Sequence, residues 1–214
     1  MLKFVLLSSV LVSSMLSGCA TTPQLPSAEL DRLWQQHRHS LEQKNDWALT
    51  ARIAGSTEDD GWSGKLSWQQ AGKNYQINFQ APFGQGAMQL LGSPGQVQMR
   101  TSDEQIIVAD DAESLLFQQL GWRLPVEGLR YWVLGLPMPV TTPVQLAPVM
   151  AFDEAGRLAS LQQSQWRVNY EAYHRVGDLV LPKKVFLENH TVSLRLVIDR
   201  WQFKGQSNAQ VNEQ

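Results

Sequence analysis

The sequence has 214 residues, 43% of them hydrophobic, with eight tryptophans, one cysteine and a formal net charge of −2. That charge is far from the basic balance that binding a phosphate backbone along its length requires, so nucleic acid is not an expected partner. A lone cysteine excludes an internal disulfide; stability must come from apolar burial in a chain long enough for one domain with a sizeable core.

The chain opens as an export signal. Lys3 supplies the positive end and Phe4 to Met15 an apolar run too short to cross a bilayer. Leu16-Ser17-Gly18-Cys19 then looks like a bacterial lipobox, in which the cysteine thiol is lipidated and cleavage follows Gly18. Cys19 is thus the expected lipid attachment point, and Ala20 behind it looks permissive for delivery to the outer membrane, on its periplasmic face. Residues 1–18 are read as the signal, 19–26 as a flexible tether, 27–204 as a single domain and 205–214 as a disordered polar tail.

Ser27 can cap a helix in which Leu30, Leu33, Trp34, His37 and Leu41 form one apolar stripe. After Asn45 the period drops to two: Trp47 to Ile53, Trp62 to Gln69 and Tyr75 to Gln80 alternate apolar with polar residues, and Ala87–Leu91, Gln96–Thr101 and Gln105–Ala109 extend a six-stranded meander. Asp110 and Asp111 can cap a helix carrying Ala112, Leu115, Leu116 and Leu120, which Gly121 ends; Pro125 opens another, which Gly135 and Pro137 terminate. Met138 to Pro148 reads as an extended connection or edge strand. Strands resume at Pro148–Phe152, Leu158–Gln162, Trp166–Tyr173, Val180–Glu188 and Val192–Phe203. The expected architecture is therefore mainly β with a few helices: a half-open antiparallel barrel of about 10–11 strands with short helices plugging the opening.

Chemistry-bearing constellations are missing. The histidines at 37, 39, 174 and 190 have neither a neighbouring cysteine nor a Glu-x-x-His spacing, so no metal is expected. No nucleophile elbow or phosphate-cradling glycine loop occurs, and the acid pairs Asp59-Asp60 and Asp110-Asp111 adjoin turns, so neither an enzyme nor a cofactor is expected. The unusual loop is Ala81-Pro82-Phe83-Gly84-Gln85-Gly86, with a bulky aromatic between Pro and Gly; the sequence leaves Phe83 free to point outward or fold back into the barrel end.

Together, the lipobox, Trp68-Gln69-Gln70, Pro82-Phe83-Gly84, Ala109-Asp110-Asp111-Ala112-Glu113, the run Leu129-Arg130-Tyr131-Trp132-Val133-Leu134-Gly135-Leu136-Pro137 and Trp201 resemble the LolB family of lipoprotein receptors over almost the whole mature chain. The resemblance implies a cofactor-free, monomeric receptor that takes acylated lipoproteins from the periplasmic carrier LolA into an apolar cavity and places them in the outer membrane. It also implies that Pro82, Phe83 and Gly84 form the membrane-insertion loop, with Phe83 where the family carries a leucine. Alternation and the two helices assign the cavity and its lid to Leu49, Ile53, Leu66, Trp68, Ile77, Phe79, Leu115, Leu116, Leu129, Trp132 and Val133. The reading from another class is a non-catalytic scaffold lipoprotein of a different envelope assembly machine, which would have a filled barrel.

Overall fold

The computed structural model describes residues 27–204 apart from 85, 122 and 143–145. The expected signal, Cys19, the tether and the polar tail lie outside the described residues. Helix α1 spans Ser27–Glu42, and six strands follow: β1 Asp46–Ser56, β2 Gly61–Ala71, β3 Asn74–Gln80, β4 Ala87–Ser93, β5 Gln96–Thr101 and β6 Ile106–Ala109. Helices α2, Ala112–Leu120, and α3, Val126–Trp132, separate these from β7 Val149–Phe152, β8 Leu158–Gln163, β9 Trp166–Val176, β10 Leu179–Glu188 and β11 Ser193–Phe203. Between α3 and β7 the described residues form a connection and no strand.

All eleven strands join one antiparallel sheet in the order β6-β5-β4-β3-β2-β1-β11-β10-β9-β8-β7. The first and last strands pair along their length, Trp47 opposite Phe203 and Ser56 opposite Ser193, so they weld two meanders into one surface. Strands β6 and β7 remain as separate edges, which makes the barrel half-open. Inward residues of both meanders and of all three helices form one core. Pro182 sits inside β10 because the register shifts around it and the ladder does not need its missing N–H.

The helices divide the concave side. Helix α1 covers the β7–β9 half: its Trp34 ring packs 5.2 Å from Phe152 and His37 meets Tyr173 edge-on at 6.3 Å. Gly156, at φ +70°, is required here, because a Cβ would strike Leu33 and the Trp34 backbone. Helix α2 starts where Asp111 accepts the Ser114 N–H at 2.8 Å and stops at left-handed Gly121, as the capping residues predict. With α3 it lies over the β1–β5 half.

Candidate functional site

Beneath α2 and α3 the β1–β5 half is hollow, with a cavity of about 540 Å³. Strands supply Leu66, Trp68, Ile77, Leu90 and Met99, and the helices supply Leu116, Leu120, Val126 and Leu129. The size lies within the roughly 300–1,000 Å³ typical of small-molecule sites. Its polar neighbours Asp60, Thr101, Ser102 and Gln119 lie toward the end of the sheet where the β1–β2, β3–β4 and β5–β6 connections meet, so that end forms the mouth. The Trp68 indole N–H donates to Gln70 Oε1 at 2.9 Å, and the amide of Gln70 donates to the carbonyls of Gly72 and Asn74. The ring's N–H is satisfied by Gln70, so it asks nothing polar of whatever fills the hollow.

Of the eleven residues assigned to cavity and lid from sequence, Ile53, Leu66, Trp68, Ile77, Phe79, Leu116 and Leu129 line the hollow. Leu49, Leu115, Trp132 and Val133 do not; they are core. Leu49 lies opposite Trp68 and Trp201 at the filled end, where the Trp47 ring packs tilted against Trp68 at 5.3 Å and edge-on against Trp201 at 5.4 Å. The sequence assignment missed Trp62, Met88, Leu90, Met99, Leu124, Val126, Leu194 and Leu196, although the alternation in β4, β5 and β11 carried the signal for several of them.

The β3–β4 connection stands outside the barrel. Pro82–Gly84 is a kinked turn in which Phe83 takes φ 54° and Gly84 φ 73°, both left-handed, and the Ala81 N–H donates to the Gly86 carbonyl at 2.9 Å, pinching the neck of the loop. Phe83 is 99% exposed. Leaving a phenylalanine in water forgoes roughly 1.5–3 kcal/mol of burial, and a left-handed non-glycine residue is itself strained, so two costs converge on one side chain. Gly86 and Ala87, directly after the loop, line the cavity, which brings loop and mouth to the same end.

Among the described lining residues Asp60 is the single ionisable side chain, and among all described residues no cluster of three His, Cys, Asp or Glu could hold a metal. The shifted titrations lie elsewhere. Burial pushes Tyr75 up to about 12 and raises Tyr170 and Tyr173; burial, reinforced by Arg157, depresses His37, and burial with Lys183 depresses His174. These groups serve packing. The cavity wall is mostly apolar.

A family model described as outer membrane lipoprotein LolB matches residues 45–201, from directly before β1 into β11. The chain belongs to the LolB family. It is 40% identical to the outer-membrane lipoprotein LolB of Nitrosococcus oceani, over 94% of this chain and 99% of that one, and 35% identical to that of Cellvibrio japonicus, over 94% and 98%. Among solved structures, a LolA superfamily protein from Nitrosomonas europaea aligns over 83% of this chain and 94% of its own, with a TM-score of 0.48 and 8% identity. The run Leu129 to Pro137, singled out in the sequence, is mainly a helix terminator. Only Leu129 reaches the hollow; Trp132, Val133, Leu134 and Leu136 are core, and Gly135 turns the chain at φ +79°.

Proposed function

We propose that this LolB-family chain is an outer-membrane acceptor of acylated lipoproteins: it takes them from the periplasmic carrier LolA into the hollow beneath α2 and α3 and passes them into the membrane that holds it through lipidated Cys19. The observation that carries this reading is a large apolar cavity whose mouth shares one end of the sheet with an outward phenylalanine. A scaffold that worked through its surface would need no hollow.

Each methylene buried contributes about 0.8 kcal/mol, so about ten of them withhold roughly 8 kcal/mol, close to a million-fold in partition. Cargo of that kind does not cross through water at a useful rate, and transfer proceeds from mouth to mouth. Direction then follows affinity: the hollow holds acyl chains better than the carrier does and less well than the bilayer. Phe83 brings the mouth to the acyl layer for the second step.

The test mixes the protein, carrying Cys19→Ala, with LolA loaded with an acylated lipoprotein, then separates the two. Cargo moves to this protein and non-acylated cargo does not; acylated cargo remaining on the carrier beside a folded acceptor overturns the proposal. Phe83→Glu accepts cargo normally and fails to deliver it into liposomes, because a charge opposes entry into the apolar layer. Undiminished delivery by that variant removes Phe83 from the mechanism.

A further inference from the structure

The convex face beside the loop carries a second concavity, about 610 Å³, walled by Pro82, Phe83 and Gly84 and floored by the outward residues of β1, β2 and β11. Three of its lining residues are cationic, Arg52, Lys65 and Arg195, and none of the described ones is a carboxylate. Register brings the three together. Arg52 faces Lys65 directly across β1–β2; across β1–β11 it faces Val197, two residues from Arg195 on the same strand and face. Lys65 in turn faces Gln80, which leads into the loop.

Like charges placed directly opposite destabilise a sheet, so this trio is a cost within the fold. Asp199 relieves part of it by pairing with Arg52 at 3.1 Å, but both partners are well exposed and water screens such a pair strongly. Arg195 lies over the Phe186 ring at 5.1 Å, which holds its guanidinium against the outer face. What remains is an anion-seeking groove that shares a wall with the most exposed aromatic side chain described. The chain as a whole is acidic, so the attraction is local, and Glu58, Asp59 and Asp60 in the neighbouring β1–β2 turn oppose a tip-first approach.

We infer that the Arg52–Lys65–Arg195 groove binds the phosphates of anionic phospholipid headgroups, so that the molecule docks on the flank of the loop while Phe83 enters the acyl layer. The inference rests on the proposed reading of Pro82–Gly84 as a membrane-entering loop and adds which lipid the docking selects and which face turns toward it. Cationic headgroup contact and an apolar anchor reinforce one another, because neither alone holds a domain stably at a bilayer.

The test replaces Phe83 with the photo-reactive residue benzoylphenylalanine in the full-length lipid-anchored protein. This is reconstituted in vesicles of phosphatidylcholine alone or an equal mixture with phosphatidylglycerol, and lipid adducts at position 83 are measured by mass spectrometry. The expected result is a higher yield in the anionic vesicles, falling about five-fold for each of Lys65→Gln and Arg195→Gln. Equal yields in both vesicles and in both variants overturn the groove and leave the loop reading standing. No adduct under any condition overturns both. The lipid comparison uses the unsubstituted groove, so the inference is tested even if the glutamine variants fold poorly.

Discussion

Gln163→Leu tests whether the C-terminal end of α3 is a fixed wall. Gln163 is 4% exposed; its Oε1 accepts the Trp132 indole N–H at 3.1 Å and the Met138 N–H at 2.9 Å, and its Nε2 donates to the Met138 carbonyl at 2.7 Å. Trp132 is completely buried, so its orphaned indole N–H costs about 2 kcal/mol, while the half-buried Met138 groups lose about 1 kcal/mol each. Leucine returns about 1 kcal/mol through its own burial, leaving a net loss near 3 kcal/mol. With a urea slope of about 2 kcal/mol/M, the unfolding midpoint falls by about 1.5 M. Trp132→Phe removes the orphan, so in the Gln163→Leu background it costs about 2 kcal/mol less than in the wild type. Urea unfolding followed by tryptophan fluorescence measures both values. A midpoint shift below about 0.3 M, or strict additivity in the cycle, refutes the assignment of Gln163 as the clamp on α3.

Three further outcomes follow from the same geometry. His37 and His174 have folded values below the ordinary 6.5, so the unfolded chain takes up more protons as the pH falls past it; their contribution is complete above 6.5 and is lost on acidification. The urea midpoint therefore drops between about pH 7.5 and pH 5, and His37→Gln flattens that slope; parallel profiles for the two proteins count against it. Gly156→Ala forces a side chain at φ +70° into Leu33 and the Trp34 backbone, costing about 2–3 kcal/mol and loosening α1, to be read by hydrogen exchange over residues 27–42; unchanged protection there contradicts the docking role. Bridging Gln119→Cys to Ser102→Cys in a Cys19→Ala background ties α2 to the β5–β6 turn at the mouth, and acceptance of cargo from LolA falls several-fold. Undiminished acceptance would dispose of α2 as a moving lid.

Much of the fold was legible because the two periods do not overlap. Strict alternation in Trp47 to Ile53 or Tyr75 to Gln80 fits a half-buried strand, and Asp111 and Gly121 bracket α2 in both the sequence reading and the structure. The candidate site was legible only in part, for a physical reason. Alternation tells which face of the sheet a side chain takes, and says nothing of whether that face meets another side chain or a void. Leu49 and Ile53 have the same phase in one strand, yet Leu49 is core against the tryptophan cluster and Ile53 lines the hollow. Trp132 and Val133 belong to the same helical segment as Leu129, but the clamp at Gln163, thirty-one residues away, holds Trp132 away from the cavity. The basic groove was illegible for a related reason: Arg52, Lys65 and Arg195 become neighbours only through pairing registers that no local pattern encodes.

Why one end of the half-barrel is hollow and the other filled comes down to where rings can lie. At the mouth, Trp62 is directly opposite Gly55 and its ring covers the space a Gly55 Cβ would occupy; the Phe79 ring likewise covers Gly64. The two rings meet edge to face at 5.5 Å, each leaning over a glycine of the neighbouring strand. Each glycine removes a side chain that would otherwise push a ring further into the lumen. At the far end Trp47, Trp68 and Trp201 lean on one another, and Trp201 stacks on Phe203 at 5.8 Å, so the same residue type becomes filler. Aromatic content alone therefore does not determine cavity volume. Two glycines beneath two rings let the mouth be both apolar and open, as the proposed passage of an acyl chain requires, while the clustered tryptophans at the far end supply the packing that a hollow domain without disulfides needs to stay folded.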